Sequence, residues 1–76
     1  MQITESIKIA AREYFNLYGV ENIETAQDGT VTENGTYELI NLATSYQEVQ
    51  NDEISVEDAF VAVCAAYREH LETEAA

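Results

Sequence analysis

The sequence predicts an all-α fold: a small single-domain bundle of three helices at about residues 4–18, 37–50 and 55–72. In each segment apolar residues recur at three- and four-residue steps, which is the spacing of one face of a helix. The chain contains no proline, so nothing in it interrupts long helices. Its 76 residues allow one domain only, because a chain of this size buries roughly 60% of the surface that it exposes when unfolded. Residues 1–76 are therefore expected to form a single acidic helical domain.

The first predicted helix has an apolar stripe and an opposite side that faces water. Thr4 is a candidate N-cap, and Gly19 stands where a left-handed residue commonly ends a helix. The solvent-facing side is expected to carry two acidic and two basic residues: Glu5, Lys8, Arg12 and Glu13. The stripe, expected to face the core, consists of Ile3, Ile7, Ala10, Ala11, Tyr14, Phe15 and Tyr18.

The helical period breaks at about residues 22–35. Two dipeptides here, Asp28-Gly29 and Asn34-Gly35, favour the positive φ angles of tight turns. Strands on either side of them would be only four or five residues long, without clean alternation of polar and apolar residues. The sequence therefore predicts a loop or a short β-hairpin in this segment.

The second and third predicted helices differ in the strength of their start signals. Thr36 or Asn34 is the expected cap of the second, whereas Ser55 followed by Asp58 is a clear N-terminal signal for the third. The apolar seam of the second helix comprises Leu39, Leu42, Ala43, Tyr46 and Val49. The expected core face of the third comprises Val56, Phe60, Val63, Cys64, Tyr67 and Leu71.

Acidic residues outnumber basic ones by 15 to 3, which gives a formal net charge of −12. Residues 1–20 are neutral overall, whereas residues 21–76 hold 13 acids against Arg68 alone. A chain this acidic cannot neutralise a phosphate backbone, and an anionic membrane repels it. Neither nucleic acid nor a membrane is therefore an expected partner. Solubility needs a net charge of only about 2 to 8 in magnitude, and excess charge destabilises a compact fold. Three explanations of the excess negative charge stay open: a solvated surface, a surface that a basic partner recognises, or a surface that binds cations.

The sequence predicts no catalytic residues, no metal site and no cofactor. The acidic cluster at residues 52–58 is interpreted as capping acids, because the glycine and glutamate positions of an EF-hand loop are not met. Cys64 and His70 are too few for a zinc site and lie about 120° apart around a helix. A bundle this small is also expected to have no room for both a core and a substrate cleft of several hundred cubic ångströms.

A cytoplasmic location is expected. The single cysteine cannot form an internal disulfide, and the first residues lack the basic and apolar segments of a signal peptide. The longest apolar run, residues 60–67, is far shorter than the roughly 20 residues that cross a bilayer.

The leading hypothesis is a non-enzymatic acidic binding protein that occupies a basic surface of a partner protein, one that normally holds DNA or RNA. Carboxylates spaced along helices can stand in for phosphates and form charge-assisted bonds with Lys and Arg. An exposed Tyr37 between two glutamates would suit an arginine-rich partner. The expected partner-binding residues are Glu33, Tyr37, Glu38, Glu48, Asp52, Glu53, Glu57 and Asp58.

In size and charge the chain is similar to the small anti-restriction and anti-CRISPR inhibitors, or DNA mimics, of viruses that infect bacteria; no motif carries this similarity. It would then act in the host cytoplasm. Immunity proteins that block bacteriocin nucleases are likewise acidic and helical. Their tyrosine-tyrosine-proline signature, however, cannot occur in this chain, which contains no proline. The alternative hypothesis is a structural or adaptor module that forms a homodimer or docks a partner helix, with Ile40 and Val61 as surplus apolar surface.

Overall fold

The structure, a computed structural model, describes residues 2–75 and confirms a small all-α fold. Residues 1 and 76, the two ends of the predicted domain, lie outside the described residues. The helices are α1 (Ile3–Tyr18), α2 (Glu33–Thr44), α3 (Gln47–Gln50) and α4 (Val56–Ala75). Because α3 is a single turn between α2 and α4, the bundle consists of three long helices.

The three long helices run up, down and up. Thr4 and Asp58, near the starts of α1 and α4, line one surface depression. Towards the other ends of these helices, Asn16 is hydrogen-bonded to His70. Thus α1 and α4 run in the same direction, while α2 runs back along α4, the helix on which both α1 and α2 pack. The core lies where the three meet, and its largest fully buried side chains are Phe15, Ile7 and Val63.

The core face of α1 is narrower than the sequence predicts. Ile7, Ala11 and Phe15 are buried as expected, but Tyr14 and Tyr18 are exposed. A stripe of seven apolar residues is wider than its neighbours cover. Tyr18 is the last residue of α1 and Tyr14 lies one turn before it, and at this end of the helix both remain in contact with water.

The core face of α4 is rotated by roughly 80° from the predicted one, at 100° per residue. Val63 and Tyr67 are buried as expected, whereas Val56 and Leu71 are exposed. The predicted core face contains the largest apolar side chains of the helix. The face that is actually buried contains small side chains, which let α1 approach α4 closely. The residues actually buried are Ala59, Ala62, Val63, Ala66, Tyr67 and His70.

Helix α2 begins and ends earlier than predicted. Thr32, rather than Asn34 or Thr36, is the N-cap, and its hydroxyl accepts a hydrogen bond from the Gly35 N–H at 3.3 Å. The predicted turn at Asn34-Gly35 is therefore wrong, since both residues are helical. The predicted continuation to residue 50 is interrupted after Thr44: the Ser45 hydroxyl donates to the Leu42 carbonyl at 2.6 Å, the kind of local bond that competes with helical pairing.

The segment between α1 and α2 is a loop with one antiparallel bridge, between Thr25 and Val31. It turns at the predicted Asp28-Gly29, where Gly29 has a φ of +89°. The Asp28 carboxylate accepts hydrogen bonds from the N–H and the hydroxyl of Thr30, which lowers the pKa of Asp28. Of the two predicted possibilities, a loop or a short β-hairpin, the segment is a loop, with a single bridged pair.

Two of the predicted helix ends, Gly19 and Ser55, are correct. Gly19 ends α1 with a φ of +78°, and its N–H donates to the Phe15 carbonyl at 2.8 Å. The Ser55 hydroxyl accepts a hydrogen bond from the Asp58 N–H at 3.1 Å, as a cap should. Thr4 is not the N-cap of α1, because the helix already begins at Ile3.

Glu69 of α4 binds both cations of α1. Its carboxylate lies 2.7 Å from Nη1 of Arg12 and 3.0 Å from Nζ of Lys8. Hydrogen bonds from Lys8 and then Arg12 lower the pKa of Glu69, while Glu69 raises the pKa of Lys8. The expectation that Lys8 and Arg12 simply face water is therefore wrong; both reach across to the neighbouring helix.

Replacing Gly35 by alanine should destabilise the protein, although alanine favours helix by about 1 kcal/mol. The Gly35 backbone packs on the loop, where an added Cβ would overlap the Glu24 carbonyl oxygen and lie 2.7 Å from Cγ1 of Val31. Overpacking of this kind costs about 1–3 kcal/mol. We expect a net loss of up to about 2 kcal/mol in the free energy of unfolding, measured by urea denaturation. The matched variant Asn34→Ala, at an exposed position one residue earlier, should cost nothing; a Gly35→Ala protein as stable as wild type would contradict the packing.

Replacing Glu69 by glutamine should lower the melting temperature at neutral pH. A carboxylate whose pKa is lowered on folding stabilises the fold above its unfolded pKa, and loses that effect as pH falls through the folded pKa. The difference between wild type and Glu69→Gln should therefore shrink as pH falls below the usual glutamate pKa of about 4.3, and disappear once the pH is below the lowered folded pKa of Glu69. Glu72→Gln, on the same helix but in no described ion pair, is the control and should not lower the melting temperature at any pH. A Glu69→Gln difference that does not shrink at all as the pH is lowered from 7 through the acid range would show that charge is not its origin.

Candidate protein-binding surface

The eight residues predicted to bind a partner fall into two groups near opposite ends of α2. The upper group, in the first half of α2, is Glu33, Tyr37 and Glu38. The lower group, in α3, the following turn and the start of α4, is Glu48, Asp52, Glu53, Glu57 and Asp58. Since α2 spans roughly 18 Å at 1.5 Å per residue, the predicted residues form two surfaces rather than one.

In the upper group, side chains point in two directions. Tyr37 is 55% exposed, and its hydroxyl donates to Oε1 of Glu33 at 3.2 Å, one helical turn away. Glu38 instead lies on the side of α2 that faces α1, where it accepts a hydrogen bond from Asn22 Nδ2 at 3.4 Å. Glu38 therefore joins a different surface from Glu33 and Tyr37.

The lower group projects from a tightly bonded connection. Asp52 has a φ of +60°, and its N–H donates to the Val49 carbonyl at 3.1 Å. The Glu53 N–H donates to the Glu48 carbonyl at 2.9 Å, so the backbone holds this turn in place. Within residues 2–75, none of the eight predicted residues forms an ion pair with a basic side chain.

The protein's negative charge is almost entirely on its surface. Thirteen of its fifteen carboxylates belong to exposed residues, and the other two, on Glu48 and Glu69, are half-buried. Glu69 binds Lys8 and Arg12, two of the three Lys and Arg residues. The outward carboxylates therefore have little positive charge beside them.

No sequence pattern predicted the groove that runs along the end of α1 and the following loop towards α2. Its upper part is lined by Tyr14, Tyr18, Glu21 and Asn22. Its lower part shares Tyr14 and Asn22 and continues to Glu38 and Asn41, over a floor that includes Phe15, Ile23 and Leu42. We call this the α1–α2 groove: Tyr14, Tyr18, Glu21, Asn22, Glu38 and Asn41.

Two tyrosines form one wall of the α1–α2 groove. The rings of Tyr14 and Tyr18 are 4.9 Å apart between centroids, and tilted by 48°. Tyr18 is 71% exposed, whereas Tyr14 packs edge-on against Phe15, with 5.8 Å between the ring centroids. Tyr46 lies close by: burial raises the pKa of its hydroxyl, and Tyr14 and Glu48 raise it further.

The upper part of the groove has a volume of about 690 Å³ and is open to solvent. This open surface depression is not an enclosed cleft, so the expectation that so small a bundle has no room for a substrate cleft stays a prediction. A usable signal for the depression was present in the sequence: two tyrosines four residues apart at the end of a helix are amphipathic side chains that favour a half-exposed position.

The remaining candidates for chemistry are not grouped. His70 is buried, and its Nδ1 lies 3.0 Å from Oδ1 of Asn16. Cys64 is half-buried, and burial raises the pKa of its thiol, which disfavours the reactive thiolate. Between residues 2 and 75, no three His, Cys, Asp or Glu side chains are grouped as a metal site would require. No helix in that range has the length and apolar content to cross a membrane.

The geometry thus offers two kinds of surface: exposed carboxylates at both ends of α2, and a tyrosine-lined groove with carboxylates at its margins. Both are suited to binding a positively charged surface. Comparisons of the chain with protein-family models, with curated protein sequences and with solved structures found no match.

Proposed function

We propose that this protein is a non-enzymatic binding protein whose acidic surface occupies a basic surface of a partner protein, most naturally a nucleic-acid-binding one. The observation that carries the proposal is the arrangement of charge: thirteen carboxylates belong to exposed residues, while Lys8 and Arg12 both bind the half-buried Glu69, and Lys8 also lies 3.8 Å from one exposed acid, Glu5. A chain that needed its cations to neutralise the surface would distribute them among the acids. Here they join α1 to α4, and the surface charge is left for another molecule.

Binding to a basic partner would relieve a cost that the free protein carries. Carboxylates that repel one another destabilise the compact state, and Lys or Arg side chains from a partner would reverse the sign of that interaction. The carboxylates spread over α2, α3 and the start of α4 could then replace the phosphates that the partner's basic surface normally holds. An inhibitor of a viral, DNA-mimicking kind, acting in the host cytoplasm, would work in this way.

A second candidate function, self-association or docking of a partner helix, is favoured by exposed apolar side chains. Leu17 is 77% exposed and Val61, which the sequence placed off the main stripe of its helix, is 63% exposed. Contacts through such residues are not screened by salt, whereas contacts between exposed charges are. Salt therefore separates the two candidates: a homodimer or helix complex would survive at high ionic strength.

Neutralising the lower group should weaken binding. In the variant Asp52→Asn, Glu53→Gln, Glu57→Gln, three charges are lost with little change of shape, and asparagine tolerates the left-handed conformation of residue 52. Each exposed ion pair is worth about 0.2–1 kcal/mol, so we expect affinity for the native partner to fall about tenfold. The measurement is affinity capture from native cells at low salt, followed by titration of the purified partner with each protein.

The control is Glu13→Gln, Glu24→Gln, Glu72→Gln, which removes the same charge from exposed positions outside both predicted groups. It should bind as wild type apart from a small general loss. The captured partner should be basic, should release DNA or RNA as this protein binds, and should dissociate at high salt. Equal affinity of wild type and the lower-group variant, or a complex insensitive to salt, would refute the proposal.

A further inference from the structure

We propose that the α1–α2 groove binds an arginine side chain of the partner, with the guanidinium against the ring of Tyr18 and between Glu21 and Glu38. This inference rests on the proposed function, because it assigns the basic partner a specific anchor point. It goes beyond that function in naming the residues that would distinguish one cation from another.

The tyrosine wall provides the first argument. Tyr18, at the end of α1, is 71% exposed, so most of its surface is open to a ligand. Tyr14 lies 4.9 Å away between ring centroids and is itself packed edge-on against the buried Phe15. A cation over a tyrosine face is attracted by the ring quadrupole, and a ring held by packing loses little freedom when a ligand arrives.

The carboxylates provide the second argument. Glu21 lies beside both tyrosines, and Glu38 lies in the adjoining part of the groove. Glu38 is already oriented by Asn22, whose Nδ2 lies 3.4 Å from its Oε2. Neither carboxylate has a cationic partner among residues 2–75, so a ligand that enters the groove would meet one unpaired carboxylate in each of its two parts.

This combination favours arginine over other occupants. An apolar side chain could use the tyrosines but would leave the carboxylates to be partly desolvated without a partner. Lysine could pair with one carboxylate, but its ammonium is compact and strongly hydrated. A guanidinium is planar, stacks on aromatic rings and presents five N–H donors to carboxylates, so it can use both features at once.

Tyr37 provides an internal comparison. It too is an exposed tyrosine beside a carboxylate, that of Glu33. Its hydroxyl, however, donates to Glu33, and Tyr37 does not form an aromatic pair in the described part of the chain. If any exposed tyrosine near an acid sufficed, Tyr37 and Tyr18 would behave alike.

The test uses two capped hexapeptides, hexa-arginine and hexalysine, titrated into the full chain at low salt and followed by NMR. Wild type should bind hexa-arginine more tightly than hexalysine, with the largest ring-proton shifts at Tyr14 and Tyr18. Tyr18→Leu should weaken hexa-arginine binding about three- to fivefold and leave hexalysine binding nearly unchanged. Glu38→Gln should weaken both peptides. Tyr37→Leu, the matched control, should change neither.

Equal losses in Tyr18→Leu and Tyr37→Leu, or no preference for hexa-arginine in wild type, would overturn the groove assignment. In that case the proposed function would still be supported if wild type bound both peptides and the lower-group variant bound neither. Absence of binding by either peptide would refute both proposals. Because Tyr18 and Tyr37 are exposed, the spectra of the variants should otherwise match wild type, which checks that each is folded.

Discussion

Ala59, Ala62 and Ala66 are all buried in α4, and their small side chains let α1 lie close against that helix. In this arrangement Phe15 packs edge-on against Tyr67, with ring centroids 5.9 Å apart. The same approach lets Arg12 and Lys8 reach Glu69, so burial and ion pairing join the same two helices. The helix α2 then covers the remaining side of the core with Leu39 and Ala43.

The distribution of charge follows from that contact. With a net charge of −12, the chain must fold against its own repulsion, and the cations of α1 are placed where they join two helices. They are consequently not available to the exposed acids of the loop, α2, α3 and the start of α4. The repulsion among those acids is the physical basis for proposing a basic partner, because a partner supplies the positive charge that the fold uses elsewhere.

The fold class and the segments that become helices could be predicted from apolar spacing, and the caps Gly19 and Ser55 from local chemistry. The rotation of the core face of α4 could not be predicted. Large apolar residues suggest one core face, whereas the buried alanines determine how closely the helices approach. The start of α2 was misplaced for a related reason: Asn34-Gly35 has the composition of a turn, but Gly35 is helical and leaves space for the Glu24 backbone. That requirement depends on a contact eleven residues away along the chain, which local patterns do not contain.

The candidate surface divides in the same way. Composition predicted exposed acids, but not that α2 would separate Glu33 and Tyr37 from the lower group. The α1–α2 groove depends on Tyr14 and Tyr18 emerging at the edge of a core to which their spacing had assigned them. Tyr14 lies beside Glu38 because α1 and α2 both pack on α4.

The central claim is that the surface carboxylates repel one another in the free protein and are uncompensated within it. The most direct test is the free energy of unfolding by urea, an uncharged denaturant, as sodium chloride is raised from about 20 mM to about 500 mM. Repulsion among exposed charges is screened over this range, so stability should rise with salt, despite the weakening of the Glu69 ion pairs. A free energy of unfolding that stays constant or falls would contradict the claim.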